Sequence, residues 1–288
     1  MNELGLPKPL HPLITLIDYN SVSAEMLEKG QKISIDFYKI SFKPEFKGQT
    51  KYGRGYYDFE EGGLAFLKPG QIVFTPEAAD NYVGFALYFH PDFIRNYPLG
   101  NLIGQYGFFS YDVSEALFLS AKEKEIIDNL FASIADELDT NIDQFSQDVL
   151  VSQIELLLNF SNRYYNRQFL TRKAVNNDII NRLNQLLDSY YDKDGGLKNG
   201  GLTVQHICEE LRLSQRYLSD MLKSLTGFTT QQYIQNAMIE KAKQKLSSTE
   251  LSVSEIAYGL GFEHPQSFSK LFKTKTNLSP VEFRRSFN

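Results

Sequence analysis

Two different periods of hydrophobic positions divide the chain at about residue 120. Before this point, short segments rich in β-branched and aromatic residues alternate with turns that contain glycine and proline, a pattern typical of antiparallel strands. The predicted strands cover residues 33–40, 63–67, 71–74 and 84–89. Residues 1–118 are therefore expected to form a small antiparallel β-barrel or sandwich.

After Ser120 the hydrophobic period becomes about 3.6 residues, which predicts helices. Ser120 and Glu123 have the spacing of a capping box, and a second helix is expected from about 142 to 165. The two helices would pair as a hairpin over residues 120–165. The broad face of the second helix holds Phe145, Val149, Ile154, Leu157, Leu158 and Ser161. This hairpin either closes the barrel core or forms a homodimer interface, and the pattern leaves both interpretations open.

The polar, basic residues 166–177 have little periodicity, so we place an interdomain linker there. Helical periodicity returns at Asp178, and a glycine-rich loop interrupts it at residues 194–201. The predicted organisation is a sensor and dimerisation domain over residues 1–165 and an all-α domain over residues 178–288. The fold class is therefore expected to be α+β.

The C-terminal part of the chain contains an internal repeat with a period of about fifty residues. At an offset of 49, Val204, Ile207, Cys208, Leu211 and Leu213 recur as Val253, Ile256, Ala257, Leu260 and Phe262. At an offset of 50, Leu218, Ser219, Leu222, Lys223, Thr226, Gly227, Thr229 and Tyr233 recur as Phe268, Ser269, Phe272, Lys273, Thr276, Asn277, Ser279 and Phe283. One extra residue in the turn of the second copy accounts for the change of offset.

Each copy has the internal pattern of a helix-turn-helix unit, over about residues 203–226 and 252–276. Ser214 is positioned to cap the second helix of the first unit, and Ser252 with Glu255 forms a capping box in the second. Cys208 corresponds to Ala257, which favours a packing role for this small side chain over a nucleophilic one.

The second copy carries a motif that resembles the AraC-type transcriptional regulators. The resemblance rests on Ile256-Ala257-Tyr258-Gly259-Leu260-Gly261-Phe262, Ser267-Phe268-Ser269-Lys270-Leu271-Phe272-Lys273 and Ser279-Pro280-Val281-Glu282-Phe283-Arg284. It implies a bihelical DNA-binding domain in which a central helix, here about Thr230 to Leu246, joins the two units. Both second helices would enter major-groove segments about one DNA turn apart. Asn277 replaces the usual glycine of the family, and asparagine tolerates the left-handed conformation required at a helix end.

The faces opposite the predicted cores identify candidate DNA contacts. In the first unit the core would hold Leu218, Met221, Leu222 and Leu225, and in the second Phe268, Leu271 and Phe272. The outward residues are Gln215, Arg216, Ser219, Asp220, Lys223, His264, Gln266, Ser267, Lys270 and Lys273. Arg216 could donate to guanine and Gln215 to adenine. Asp220 would either accept from cytosine or lower affinity by repelling phosphate, and we favour the second role.

The net charge is compatible with DNA binding only when it is counted separately for the two parts of the chain. The net charge of the whole chain is −5, but residues 203–288 carry +3 and residues 1–202 carry −8. A composition of 42% hydrophobic and 23% charged residues is typical of a globular protein. The lack of a long apolar run and of a signal-peptide pattern predicts a cytoplasmic chain without a membrane partner.

The chemistry of the N-terminal domain is less specified by its residues. Its order of barrel and hairpin resembles the cupin-like sensors of AraC-type regulators, which implies a small-molecule effector. Tyr38, Phe66, Phe74 and Phe85 are candidate ligand contacts, although aromatic strand residues are more often core. The four histidines include no close pair, and there is a single cysteine, so we predict no metal and no cofactor.

The predicted function is that of a transcription regulator that binds promoter DNA and is controlled by a small molecule. Control by a protein partner without a ligand pocket is one alternative, and a cupin-type enzyme with an attached DNA-binding domain is another. No catalytic constellation supports the enzyme. A homodimer and contact with RNA polymerase are further expected interactions.

Overall fold

In the computed structural model, the chain divides into two units, residues 1–168 and 169–288. The structure describes residues 11–21, 32–44, 50–52, 55–57, 62–74, 83–140, 143–192 and 202–287.

The first unit contains nine described strands, all paired antiparallel. They are β1 (Ile14–Asp18), β2 (Lys32–Ser34), β3 (Tyr38–Lys43), β4 (Thr50–Tyr52), β5 (Gly55–Tyr57), β6 (Gly63–Leu67), β7 (Ile72–Phe74), β8 (Phe85–Phe89) and β9 (Leu117–Phe118). In these residues the predicted antiparallel barrel takes the form of one five-stranded sheet, in the order β1-β8-β3-β6-β9, and two two-stranded sheets, β2-β7 and β4-β5. The strands predicted over residues 63–67, 71–74 and 84–89 are confirmed to within a residue.

The prediction of a single strand over residues 33–40 is wrong. This segment contains the end of β2 and the start of β3, which belong to different sheets. Ile33 pairs with Val73 of β7, whereas Ile40 pairs with Phe66 of β6 and Leu87 of β8. Between them, the carbonyl of Ile35 accepts a hydrogen bond from the backbone of Gly70 at 2.9 Å. Hydrophobic composition predicted extended chain here, but strand pairing decides where one strand ends and the next begins.

Four helices follow the main strands: α1 (Pro91–Ile94), α2 (Pro98–Leu102), α3 (Ala121–Asp139) and α4 (Ser146–Thr171). The predicted capping box of α3 is confirmed, since the Ser120 hydroxyl accepts from the Glu123 backbone and the Glu123 carboxylate accepts from the Ser120 backbone. On α3, the Phe131 ring stacks on Phe42 of β3 and Phe85 of β8, with centroid distances of 5.5 and 5.8 Å. The first helix of the predicted hairpin therefore covers one face of the five-stranded sheet.

The broad apolar face predicted for α4 is divided in the structure. Ile154, Leu157, Leu158 and Ser161 are fully buried, whereas the side chains of Phe145 and Val149 are 59% and 39% exposed. The prediction that all six share one covered face was wrong for these two residues. At 3.6 residues per turn, Val149 projects from a different side of α4 than Ile154, Leu158 and Ser161, so one packing partner does not cover them all.

The second unit begins in the last turn of α4, and the residues predicted as a linker, 166–177, are almost entirely helical. Helix α5 (Lys173–Asp192) starts two residues after α4 ends, and Arg172 lies between them. The buried Asn176 side chain donates to the carbonyl of Phe169 at 2.6 Å. This bond supplies a partner for a carbonyl at the end of α4, where the helix provides none. The assignment of domains by residue number stays a prediction.

The described residues of the second unit contain six further helices. They are α6 (Val204–Leu211), α7 (Gln215–Thr226), α8 (Thr230–Ser248), α9 (Val253–Gly259), α10 (Pro265–Thr276) and α11 (Pro280–Arg285). The α+β class is thus confirmed: all the described strands lie in the first unit, and the regular elements described in the second unit are helices.

Candidate nucleic-acid interface

The two copies of the repeat fold with the same backbone hydrogen bonds. In the first, the backbone of Leu213 donates to the carbonyl of Cys208 at 3.0 Å, and in the second Phe262 donates to Ala257 at the same distance. These residues are related by the offset of 49 that the sequence repeat shows. Each copy is a short helix, a turn and a longer helix, formed by α6 with α7 and by α9 with α10.

Left-handed backbone conformations occur at equivalent positions of both copies. Arg212 ends α6 with a φ of 58°, and Gly261 occupies the matching position with a φ of 91°. Gly227 ends α7 with a φ of 80°, and Asn277 ends α10 with a φ of 61°, as predicted for that asparagine. The repeat therefore extends to backbone geometry, with glycine at only one member of each pair.

Side-chain caps fix where the helices of the repeat begin. The hydroxyl of Ser214 accepts from the backbone of Tyr217 at 3.2 Å, which confirms the predicted start of α7. The capping box of Ser252 and Glu255 at α9 is also confirmed. Helix α10 begins differently, because His264 is its N-cap residue and its side chain makes no capping bond. The start of α10 depends instead on Pro265 at its first position.

The inward faces of α7 and α10 contain the core that orients the helices. Leu218, Met221, Leu222, Phe268 and Phe272 are fully buried. Two residues predicted as core, Leu225 and Leu271, are only half-buried. Cys208 is buried, in agreement with a packing role.

On α7, the candidate DNA contacts lie on the face opposite this core. Gln215, Arg216 and Lys223 are exposed, whereas Ser219 and Asp220 are half-buried. The Nε atom of Arg216 donates to Oδ2 of Asp220 at 2.9 Å. The sequence predicts independent roles for these two side chains, but the structure joins them in one ion pair. Their i,i+4 spacing on a helix was the signal that could have indicated it.

On α10, every candidate contact is exposed: His264, Gln266, Ser267, Lys270 and Lys273. The charges of the two helices differ. Helix α10 has three lysines and no acidic residue, and its Lys275 donates to Asn236 of α8 at 3.0 Å. Helix α7 has Arg216 and Lys223 with Asp220. Contact of these residues with DNA stays a prediction.

Three of the predicted ligand residues of the first unit pack against other aromatic rings. Phe66 is buried with its ring 4.3 Å from Phe108, between ring centroids, and Tyr38 stacks on Phe89 at 5.2 Å. Phe85 stacks on Phe131. The side chain of Phe74 lies outside the described residues. Phe66 therefore belongs to the core, whereas Tyr38 and Phe85 are half-buried. A ligand-binding role for the four residues stays a prediction.

A polar cluster that was not predicted from the sequence lies on the face of β3 opposite to Phe42. The hydroxyls of Tyr19 and Ser41 are 3.3 Å apart. The ammonium of Lys39 lies 5.3 Å from the ring centroid of Tyr88, and that of Lys43 lies 5.9 Å from the ring of Tyr19. Burial raises the pKa of Tyr19, and the positive charge of Lys39 opposes this shift. We call these five residues the sheet-face cluster.

The signal for the sheet-face cluster was present in the sequence. Lys39, Ser41 and Lys43 alternate with Ile40 and Phe42, which places the three polar residues on one face of β3. Within the described ranges, no group of three His, Cys, Asp or Glu residues could hold a metal ion. Helices long and apolar enough to cross a membrane are likewise absent from these ranges.

Comparison with known proteins finds relatives that match part of this chain. The family model described as a helix-turn-helix domain matches residues 207–286. The transcriptional activator RhaR of Enterobacter sp. (strain 638) is 33% identical over 113 residues, which cover 39% of this chain and 40% of that protein. RhaS of Salmonella paratyphi B, also a transcriptional activator, is 31% identical over 141 residues, or 49% of this chain and 46% of that protein.

Among solved structures, the C-terminal domain of AraT, a response regulator from Geobacillus stearothermophilus, has 31% sequence identity to this chain. The match covers 38% of this chain and 84% of that domain, with a TM-score of 0.33. The chain spans less than half the length of each of these two curated relatives.

Proposed function

We infer that this chain, whose residues 207–286 belong to the AraC-type helix-turn-helix family, is a sequence-specific DNA-binding transcription regulator. The resemblance noted at residues 256–262 is thereby confirmed for the second unit. The observation that carries the proposal is the repetition of one helix-turn-helix geometry, in which α7 and α10 each bury one face and expose the other. An exposed helix face with donors for bases and phosphates is what major-groove recognition requires.

Selection of bound DNA from a random pool by the purified full chain tests this function. We expect a preferred site that covers two adjacent major-groove segments. Binding should weaken steeply as salt rises, because lysines and arginines displace counterions from phosphates. A pool that shows no sequence preference after selection would contradict the proposal.

Replacement of Arg216 tests whether α7 reads bases. Arg216→Ala should weaken binding to the selected site by roughly 1 to 3 kcal/mol while random DNA is affected less. Arg163→Ala is the matched control, because it removes an exposed positive charge from α4 in the first unit. Equal losses on selected and random DNA would make Arg216 a phosphate contact.

Control by a small molecule is the second part of the proposal, and the sheet-face cluster supports it. Two ammonium groups and two phenol rings converge on one face of β3. Such a group suits an effector with a carboxylate, phosphate or several hydroxyls. A thermal-shift screen of small carboxylates, phosphate esters and neutral sugars would test this part of the proposal. The expected hit stabilises the protein and loses its effect in Lys43→Met but not in the exposed control Lys122→Met.

A protein partner in place of an effector is the alternative form of control. It predicts that no compound class raises the unfolding temperature and that Lys43→Met leaves regulation unchanged. We propose no catalytic activity for either form; RhaR and RhaS carry the names of transcription activators. Contact with RNA polymerase and a cytoplasmic location belong to the same proposal.

Homodimerisation is proposed through exposed apolar side chains at the start of α4 and along it. Phe145, the residue before α4, is 59% exposed, and Val149 and Leu156 on the helix are 39% and 45% exposed. The spacing of seven residues between Val149 and Leu156 places these two on one helix face. Val149→Asp with Leu156→Asp should convert a dimer to a monomer in sedimentation velocity, because paired apolar faces do not tolerate buried carboxylates. A wild-type protein that sediments as a monomer at all concentrations would contradict this interface.

A further inference from the structure

The ion pair between Arg216 and Asp220 occupies the face of α7 that is proposed to meet DNA. The Nε atom of Arg216 is the donor, and Oδ2 of Asp220 accepts at 2.9 Å. The Arg216 side chain is 48% exposed, whereas that of Asp220 is 28% exposed. The carboxylate thus lies deeper on the helix surface than the guanidinium that it holds.

This pair is poorly placed to stabilise the helix. Arg216 is in the first turn of α7, where the helix dipole favours negative charge, and its acidic partner follows four residues later. The reverse order, with the acidic residue first, is the more favourable one on helices. Half-exposed pairs of this kind also contribute little to folding stability. Stability therefore gives a weak reason for the pair to exist.

The atoms used by the pair fit a role in base recognition. A guanidinium has five N–H donors in a rigid planar fork, and a bidentate contact with guanine O6 and N7 needs two of them. The bond from Nε to Asp220 fixes the plane of the guanidinium, and with it the direction of the N–H groups on the two terminal nitrogens. Fixing this plane before DNA arrives would also reduce the side-chain entropy that binding must remove.

We propose that Asp220 is a positioning residue that orients Arg216 for a guanine contact. This inference rests on the proposed DNA-binding function and specifies how its first unit obtains specificity. It replaces the expectation that Asp220 only lowers affinity by repelling phosphate, because a carboxylate paired with Arg216 presents little net charge to the backbone. It also differs from direct recognition of cytosine by Asp220, since the base pair affected would be the one that Arg216 reads.

The test uses the full chain and the site selected by the wild-type protein. Arg216→Ala identifies the guanine, as the position at which discrimination against the other bases falls by about 5- to 150-fold. Asp220→Ala should reduce discrimination at that same position by about 2- to 10-fold, the size expected for losing one preordered side chain. Asp220→Glu should restore part of it, because a longer carboxylate can still reach Arg216.

The double variant Arg216→Ala with Asp220→Ala separates the three roles of Asp220. In the positioning role, Asp220→Ala has no further effect on discrimination once Arg216 is absent. In the phosphate-repelling role, Asp220→Ala strengthens binding to selected and random DNA equally, and discrimination does not change. In the cytosine role, discrimination falls at a different base pair and does so in both backgrounds. The second and third results would each overturn the proposal.

Glu240→Ala provides the matched control for these measurements. Glu240 pairs with Lys243 on α8 at 2.7 Å, so the variant removes a carboxylate from another exposed intrahelical ion pair. It should leave discrimination unchanged. Equal melting temperatures of the Asp220 variants and the wild type would exclude unfolding as the cause of a loss. A wild-type chain without any preferred site would instead contradict the proposed function itself.

Discussion

The guanidinium of Arg284, on α11, donates hydrogen bonds to the backbone carbonyls of Leu246, in α8, and Leu251. Its Nε atom donates to the carbonyl of Leu246 in the last turn of α8, at 3.2 Å. Its Nη2 atom donates to the carbonyl of Leu251, in the loop before α9, at 2.5 Å. Carbonyls in the last turn of a helix have no partner within the helix, so a distant side chain supplies one. Arg284 thereby fastens α11 to the start of the second helix-turn-helix unit.

Removal of this clamp should loosen the second unit. Arg284→Met is expected to lower the free energy of unfolding by about 1 kcal/mol, because two carbonyls lose a charged donor at a partly exposed site. Hydrogen exchange of the amides in residues 246–287 should become faster. Arg285→Met, at the exposed neighbouring position, is the control and should leave both quantities unchanged. Identical exchange in the two variants would show that the clamp has no energetic role.

Substitutions at the two described non-glycine residues with left-handed backbone, Arg212 and Asn277, should change the free energy of unfolding in opposite directions. Arg212→Gly should stabilise the protein by about 0.5 to 1 kcal/mol, since glycine has no Cβ to strain at a φ of 58°. Asn277→Ala should destabilise it by about 1 kcal/mol at a φ of 61°, whereas Asn277→Gly should be nearly neutral. Urea unfolding measures each change. A destabilised Arg212→Gly variant would indicate that the arginine side chain makes contacts that outweigh the strain.

The capping boxes predict a response to acid. Hydrogen bonds from the side chain and backbone of Ser252 lower the pKa of Glu255 below its ordinary 4.5, and those from Ser279 do the same for Glu282. Because the folded pKa is depressed, this stabilisation is present above pH 4.5 and is lost as the pH falls through the folded value. NMR titration of the two carboxyl groups should give midpoints below 4.5.

Glutamine variants provide the control for this response. Glutamine preserves a capping box but cannot titrate, so Glu255→Gln with Glu282→Gln should make α9 and α11 less sensitive to acid. Glu250→Gln, outside both boxes, should retain the wild-type response. Midpoints at or above 4.5 in the wild-type protein would contradict the effect of the caps.

Removal of the Tyr191 hydroxyl is expected to stabilise the protein. The side chain is 1% exposed, and its hydroxyl has no hydrogen-bond partner among the described residues. Burial raises the pKa of Tyr191 well above its ordinary value. Tyr191→Phe keeps the ring and removes an unpaired polar group, so stability should rise by up to about 1 kcal/mol. The half-buried Tyr190→Phe is the control, with a smaller expected change. A loss of more than 1 kcal/mol at Tyr191 would mean that its hydroxyl is bonded.

Much of the second unit was predictable because its determinants are local. Ser214, Ser252 and Ser279 cap helices within three or four residues of themselves, and the apolar faces of α7 and α10 repeat at helical spacing. The family resemblance implied a central helix from about Thr230 to Leu246, and the helix in the structure ends two residues later, at Ser248. The Arg216–Asp220 pair is local too, but spacing alone does not say which of several rotamers Arg216 adopts.

Four features could be predicted from the sequence: the α+β class, the repeat, the helix starts, and the outward faces of α7 and α10. Each of them depends on residues close together in the chain. Tertiary structure decided what depends on distant partners: the change of sheet between Ile33 and Ile40, the exposure of Phe145 and Val149, and the clamp of Arg284. A pattern shows that a face must be covered or a carbonyl satisfied. Only the folded chain shows which element, from elsewhere in the sequence, does so.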